Sequence, residues 1–332
     1  MNYLYVFAAA FLFSSMEVAI KFTGGAFNPV QLNFIRFLVA GLLLYPISRR
    51  ELGKLTYTLA KKDYLHFAFT GFLCIVVSMT FYTLSVSFLD AHVAGVLFCA
   101  NTFFSMLLAH FFTEEKMNRP MLLAVCLAFV GFIVLINPLH FQGSLPGVVI
   151  VLISALSFSF YALVGKILYK DAPFKAATIT SRSFLFGVVE LFILIMISRT
   201  APVAGALKAA DLDVFANIPI LHGIQADNIL ILLYISVFVT GLGFASHLFA
   251  VETNPVAVSS LVFFVKPVLS PIMAALFLGD TIYKNEIAGI LLIAVASGLI
   301  LSEQHRREKR SRRKTISPRK KTASQRTSSF HL

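Results

Sequence analysis

The feature that most constrains the fold is a series of ten apolar segments, each long enough to cross a lipid bilayer as a helix. A helix needs about 20 mostly apolar residues to cross the hydrocarbon layer, where its backbone polar groups must bond within the segment. The chain therefore predicts an all-α polytopic membrane protein with ten transmembrane helices. The expected spans are approximately residues 4–22, 29–48, 66–88, 92–112, 120–138, 146–168, 176–198, 229–251, 256–278 and 285–302.

Composition excludes a soluble globular protein. Hydrophobic residues make up 58% of the 332 residues and charged residues 13%, whereas soluble domains hold about 45–50% and about 25%. The longest interruption, residues 200–227, mixes proline and aspartate with apolar residues. It is expected to be an extramembrane loop, in which a short interfacial helix could form.

The ten segments divide into two rounds of five, and each round has an arginine in its second segment, Arg36 and Arg182. An odd number of crossings inverts the second round in the membrane, which is the inverted-repeat organisation of many secondary transporters. A shift of 166 residues also aligns Ala91 with Ala257 and Glu114 with Asp280. We predict two inverted five-helix repeats, at residues 1–139 and 140–302, followed by a tail at 303–332.

Basic residues indicate the orientation of the chain. If the N-terminus is cytoplasmic, the outer loops hold only Arg199, Lys208 and Lys284, as the positive-inside rule requires. Both termini are then cytoplasmic. The inner loops hold Arg49, Arg50, Lys54, Lys61, Lys62, Lys116, Arg119, Lys170 and Lys175.

The tail accounts for most of the net charge of +12, because eleven lysines and arginines lie between Arg306 and Arg326. Such a segment is expected to be disordered and to contact anionic lipid headgroups. Nucleic acid is not an expected partner, since aromatic residues are absent from the tail until Phe330 and no folded module surrounds it.

Ionisable residues inside the spans are the main candidates for function, because each costs about 2.5–3.5 kcal/mol at the bilayer centre even on lenient scales. Lys266 lies mid-span beside Pro267 and one turn before Pro271, and these prolines can open or bend the helix. Lys266 either binds substrate or pairs with a carboxylate that holds helices together. Both prolines are candidates for gating.

The other charged candidates also have two interpretations each. Arg36 and Arg182 could grip an anionic solute through paired hydrogen bonds, or could clamp helices. Glu17 and Lys21 have the i, i+4 spacing of an in-helix ion pair, but Glu17 could instead bind a proton or a substrate amine. Glu190 is a second candidate for proton coupling.

Neutral polar residues in the spans usually hold helices together. Asn101 and Tyr161 are the two that we expect to line a cavity. The chain contains no HExxH, GxGD, GxSxG or Walker A motif, so the sequence predicts no enzyme, no metal site, no cofactor and no direct use of ATP.

Four stretches resemble an EamA-type member of the drug/metabolite transporter superfamily: Asn28-Pro-Val-Gln-Leu-Asn-Phe-Ile-Arg-Phe-Leu-Val-Ala-Gly-Leu, Phe81-Tyr-Thr-Leu-Ser-Val-Ser-Phe-Leu-Asp-Ala, Val239-Thr-Gly-Leu-Gly and Lys266-Pro-Val-Leu-Ser-Pro-Ile-Met-Ala-Ala-Leu-Phe-Leu-Gly-Asp. The resemblance covers residues 1 to about 302. It implies two EamA repeats, a central cavity and transport of a small metabolite, often by an exporter or exchanger. It also suggests a bacterial inner membrane.

The mixed charges in the spans favour an amino acid or a related zwitterionic or anionic solute, carried by alternating access with proton, sodium or exchange coupling. Two alternatives stay open. The protein could export cationic drugs, or it could be a membrane scaffold or sensor whose basic tail recruits partners.

Overall fold

Among the residues that the structure describes, ten helices are long and apolar enough to cross a membrane. The computed structural model describes residues 3–55, 57–114, 116–137, 144–169, 171–254, 258 and 261–327, with side chains up to 307 and at 309. The prediction of ten transmembrane helices in an all-α protein is confirmed. The helices are α1 Tyr3–Phe22, α2 Pro29–Leu52, α3 Lys61–Phe88, α4 Ala91–Phe112, α5 Arg119–Ile136, α6 Leu145–Leu168, α7 Ala176–Ser198, α8 Ile229–Thr253, α9 Leu261–Leu278 and α10, which crosses at Lys284–Arg307.

Several helices begin where a polar capping residue precedes a proline. The Asn28 side chain accepts from the amides of Val30 and Gln31, Asn118 caps α5 and Ser144 caps α6. Each cap satisfies amide groups that have no partner within the helix, and proline in the first turn has no amide hydrogen to satisfy. These local signals explain why the predicted and observed boundaries differ by only a few residues.

The loop between α7 and α8 contains the anticipated short helix, at Ala201–Ala209, and a 3-10 turn at Asp213–Phe215. The loop packs over the start of α2. Asn28 Nδ2 donates to the carbonyl of Val214 at 2.7 Å, and Gln31 Nε2 donates to the carbonyl of His222 at 2.7 Å. These bonds fix the loop on one side of the bundle.

Helix α10 continues beyond its membrane span to Thr327. The sequence between Ser302 and Thr327 contains no glycine and a single proline, Pro318, so few residues there oppose continuation of the helix.

An even number of crossings places both ends of the bundle on the same side, which we call the terminal face. The loops α2–α3, α4–α5, α6–α7 and α8–α9 lie there, and the other five loops lie on the far face. The assignment of the terminal face to the cytoplasm stays a prediction from the distribution of lysine and arginine.

Helices α3 and α8 each contain a π-helical stretch, at Phe72–Met79 and Tyr234–Leu242. In both, a threonine hydroxyl donates to the carbonyl five residues earlier. Thr80 Oγ1 lies 3.0 Å from the oxygen of Ile75, and Thr240 Oγ1 lies 2.8 Å from the oxygen of Ile235. These helices are the third of each predicted repeat. Such wide turns occur often at functional sites.

Helices α3 and α7 cross in close contact at Gly71 and Gly187. A Cβ on Gly187 would lie 2.7 Å from the carbonyl oxygen of Gly71, and a Cβ on Gly71 would lie 2.6 Å from the amide nitrogen of Gly187. Only glycine fits at this crossing, because both obstacles are backbone atoms that cannot move aside.

We expect Gly71→Ala and Gly187→Ala each to destabilise the protein by about 1–3 kcal/mol, the usual cost of overpacking. Gly165→Ala is the matched control, because nothing lies within 4 Å of a Cβ built there. Thermal unfolding of the detergent-purified variants measures the effect. Equal unfolding midpoints for all three variants would contradict the close helix crossing.

Candidate functional site

Lys266 and Glu17 form a buried ion pair at the centre of the bundle. Lys266 Nζ lies 2.7 Å from Glu17 Oε1, and the exposed fractions of the two side chains are 6% and 0%. Tyr82 donates its hydroxyl hydrogen to Glu17 Oε1 and accepts from Lys266 Nζ at 3.2 Å. A lysine or a carboxylate is costly to bury alone at this depth, and in this pair each group supplies the partner of the other.

Two helices hold this pair in place. Ser270 of α9 lies one turn beyond Lys266 and donates to Glu17 Oε2 at 3.4 Å. A Cβ on Gly95 of α4 would overlap Ser270 and approach Glu17 to 3.1 Å, so glycine permits α4 to pack directly on the pair. Pro267 and Pro271 are buried in α9, and Pro267 removes the amide that would bond the carbonyl of Phe263.

Arg36 lies next to this pair and is fully buried. Its Nε and Nη2 donate to Asn33 Oδ1 at 3.1 and 2.8 Å, and Nη2 also donates to Thr83 Oγ1 at 3.1 Å. Nη1 contacts the sulfur of Met16 at 3.5 Å. Arg36 has no carboxylate within ion-pair distance in the part of the chain that the structure describes.

The π-helical stretch of α3 fixes the orientation of Arg36. Its wide turn presents the carbonyl of Ile75 to Asn33 Nδ2, which donates to it at 2.9 Å and to Thr80 Oγ1 at 3.0 Å. Asn33 is thereby oriented with its amide towards α3 and its oxygen towards Arg36. One nitrogen, Nη2, links α2 to α3 through Thr83, and the contact of Nη1 among the described residues is the sulfur of Met16.

Lys266 and Arg36 line the same small chamber, which has a volume of about 50 Å³. Six aromatic rings contribute to its wall, and Lys266 Nζ lies 5.3 Å from the ring centroid of Tyr82 and 5.4 Å from that of Phe98. Two cations line the chamber and only one of them, Lys266, has a carboxylate partner among the described residues, so the net charge at the chamber is positive. The other lining residues are Phe13, Met16, Met79, Cys99, Asn101, Phe158, Val239, Thr240, Phe244 and Phe263.

A larger vestibule of about 560 Å³ lies between the chamber and the terminal face. Asn101, Phe158 and Phe263 line both spaces, so they separate the chamber from the vestibule. The vestibule is also lined by Lys116, Lys166 and Arg307 near its mouth. No acidic residue is among its described lining residues.

The far face is closed where α4 packs on α9. His92, near the start of α4, is 1% exposed; its Nδ1 lies 3.0 Å from Asp280 Oδ2 and its Nε2 lies 3.2 Å from Glu286 Oε2. The contact to Glu286 has ion-pair distance but not hydrogen-bond geometry, because the N–H of Nε2 is not directed at that oxygen. The chamber is therefore closed towards the far face and separated from the terminal face by three side chains.

The structure brings together four of the five residues that the sequence nominated for substrate binding: Lys266, Arg36, Glu17 and Asn101. Tyr161, the fifth, does not line the chamber; its ring packs behind Phe158, with centroids 5.5 Å apart. Helical spacing that places a residue near the cavity does not establish that its side chain faces the cavity.

Three candidates for coupling lie elsewhere. Lys21 does not pair with Glu17, because Glu17 is bonded to Lys266 on another helix. Arg182 packs over the ring of Tyr45 with its CZ atom 4.8 Å from the centroid. Glu190 does not line the chamber, and its buried Oε2 has no hydrogen bond among the described residues.

Sequence reasoning did not identify the aromatic wall or the role of His92. The chain contains 34 phenylalanines, and no sequence pattern separates the few that surround a cavity. The alignment of Glu114 with Asp280 was the one signal that an acidic residue recurs at this helix end.

Comparison with known proteins agrees with this architecture. The sequence model of a family described as the EamA-like transporter family matches residues 1–137 and 145–302. An uncharacterized transporter of Clostridium kluyveri is 28% identical over 304 residues, which cover 89% of this chain and 91% of the relative. An uncharacterized transporter of Archaeoglobus fulgidus is 22% identical over 283 residues, which cover 85% and 90%.

A solved crystal structure of a protein has a similar fold. It superposes with a TM-score of 0.61 at 16% sequence identity and covers 92% of this chain and 98% of its own.

The buried pair predicts a strongly non-additive pair of substitutions. Lys266→Met or Glu17→Gln alone should destabilise the protein by about 3–5 kcal/mol, since each leaves one charge buried without a partner. The double variant should lose less than the sum, because neither charge remains. Unfolding midpoints of the four proteins in a double-mutant cycle test this. Additive losses would contradict direct pairing.

Proposed function

We propose that this membrane transporter, which belongs to the EamA-like transporter family, is a secondary carrier of a zwitterionic or anionic metabolite. An amino acid or a related organic acid fits the site best. The observation that carries the proposal is a chamber lined by two cations, Lys266 and Arg36, of which only Lys266 has a carboxylate partner, Glu17, among the described residues. The excess positive charge is expected to be neutralised by an anionic group of the substrate.

The vestibule supports an anionic group as well. Lys116, Lys166 and Arg307 come from three different elements and converge near its mouth. Clustered cations raise the local concentration of anions by long-range attraction, and of these three Arg307 lies 3.8 Å from a carboxylate oxygen of Glu303. An anion arriving from the terminal face would first meet these side chains and then Asn101.

The walls of the chamber favour an organic solute over an inorganic anion. Phe13, Phe98, Phe158 and Phe263 line it together with Tyr82. Burying the apolar carbon atoms of a solute against aromatic rings is favourable, and the faces of the rings attract ammonium groups. A small molecule with a carboxylate and an apolar body, with or without an amine, satisfies both the cations and the rings.

Alternating access is the mechanism we propose, with the two halves at residues 1–139 and 140–302 acting as inverted repeats. Support comes from the two separate matches to one family model and from the π-helical stretches at corresponding positions in α3 and α8. A closed far face and a vestibule at the terminal face correspond to one end state. Rocking of the halves about the chamber would produce the other.

Coupling to protons follows from competition for Lys266. A bound carboxylate would displace Glu17 from Lys266, and a fully buried carboxylate without its cation favours the protonated form. Glu17 would then take up a proton as the anion binds. Sodium coupling and exchange remain the alternatives.

The proposed location is a cell inner membrane with both termini in the cytoplasm, and the basic tail against anionic lipid. The terminal face is then cytoplasmic, so a vestibule on that face suits an exporter or an exchanger. The proposal involves transport without chemical conversion. It leaves the basic tail no role in binding nucleic acid.

A cationic-drug exporter is the second candidate, because Glu17 could accept a cation if Lys266 moved away. The geometry favours it less, since Arg36 would still repel a cation in the chamber. A scaffold or sensor role for the tail would need no chamber at all.

A thermal-shift screen of purified protein against amino acids, organic acids, nucleosides and cationic drugs tests the substrate class. A ligand that binds only the folded state stabilises it, by about 2.7 kcal/mol at a hundred times its dissociation constant. We expect stabilisation by a carboxylate-bearing solute, lost in Lys266→Gln and in Arg36→Gln. Lys208→Gln, on the exposed loop helix, is the matched control and should retain the shift.

Flux of the identified solute into proteoliposomes should depend on the same residues. Lys266→Gln and Arg36→Gln should abolish it, whereas Lys208→Gln should transport as the unmodified protein does. Stabilisation by cationic drugs alone, or flux that does not depend on Lys266, would overturn the proposed substrate class.

A further inference from the structure

His92 is the only described histidine with a carboxylate close to each ring nitrogen. Its partners come from two different segments: Asp280 follows the end of α9, and Glu286 lies in the first turn of α10. Glu286 also accepts from the amide of Tyr283 at 2.7 Å, which fixes the α9–α10 loop. The cluster therefore ties the start of α4 to two neighbouring helices on the far face.

Asp280 and Glu286 are the ion-pair partners of His92 in the described part of the chain. Helix α1 packs on this seam with Val18, against Ala91, Met273 and Ala274. The first residues of α6, which are Leu145, Pro146 and Gly147, carry no charge. Gly147 packs against Leu89. Nearby charges are Asp90 before α4, Lys21 at the end of α1 and Lys284 at the start of α10; none of them forms an ion pair with His92 in the described part of the chain.

We infer that His92, Asp280 and Glu286 form a proton-binding site that latches the far face of the transporter. With protons on both nitrogens, the imidazolium attracts both carboxylates and holds α4 against α9 and α10. Without one proton, a ring nitrogen carries a lone pair facing a carboxylate, and the half-buried Asp280 and the buried Glu286 lose their cation. Proton loss therefore releases the seam.

The consequence is a far face that is closed at low pH and free to open as pH rises through the range in which His92 titrates. The seam continues inward from His92 to Gly95, Ser270 and Glu17, so loosening it exposes the chamber from the far side. The role of this opening in transport rests on the proposed alternating access. The latch itself requires no substrate.

Hydrogen–deuterium exchange of the full-length protein in lipid nanodiscs tests the latch. Exchange is compared at about pH 5 and about pH 8, which bracket the titration range of imidazole, after correction for the intrinsic pH dependence measured on the unfolded protein. Peptides covering residues 89–96 and 276–288 should exchange several-fold faster at the higher pH. His92→Gln should remove that pH dependence.

Two further variants make the result specific. The double variant Asp280→Asn and Glu286→Gln keeps His92 but removes its partners, and it should also lose the pH dependence. His222→Gln is the matched control, because His222 lies exposed on the same face without an ion pair; it should respond to pH as the unmodified protein does. Equal corrected exchange at both pH values, or a pH response that survives in His92→Gln, would overturn the latch.

The same hydrogen–deuterium exchange data distinguish a failure of the latch from a failure of the proposed alternating access. If the protein alternates, opening of the far face should protect peptides that line the vestibule, residues 101–109 and 158–166. Faster far-face exchange without that protection supports the latch and contradicts alternating access. Protection of the vestibule without any dependence on His92 contradicts the latch alone.

Discussion

The organisation of the bundle depends on one buried ion pair between α1 and α9. Glu17 and Lys266 are each too costly to bury alone in the membrane, so the two helices must meet wherever the chain folds. Tyr82 adds α3, and Gly95 and Ser270 allow α4 to pack directly against the pair. A single interaction therefore brings together four of the helices that line the chamber, and it leaves one ammonium group at a position that an anion can reach.

Arg36 shows how a second cation is kept beside the first without a carboxylate of its own. The π-helical turn of α3 exposes the carbonyl of Ile75, Asn33 binds that carbonyl, and the oxygen of Asn33 then holds the guanidinium. A regular helix would direct that carbonyl along its own axis. The irregular backbone thus has a positioning role, and a similar turn in α8 places Thr240 at the opposite wall of the chamber.

The sequence predicted the ten helices, their boundaries within a few residues and the buried candidates Lys266, Arg36, Glu17 and Asn101. These follow from the length and apolarity of the spans and from the cost of charge in lipid, both of which are local. It did not predict that Glu17 pairs with Lys266 rather than Lys21, because that depends on which helices pack together. For the same reason Tyr161, Arg182 and Glu190 could not be separated from residues that face the chamber, and the pairing of His92 with residues 188 and 194 positions away was not visible.

The central claim is that a substrate anion replaces Glu17 as the partner of Lys266. Calorimetric titration of a stabilising carboxylate ligand in two buffers with different ionisation enthalpies measures proton exchange on binding most directly. The account predicts that the protein takes up a proton as the ligand binds, and that Glu17→Gln binds without proton uptake. Binding that requires Lys266 but involves no proton in the unmodified protein would contradict the claim.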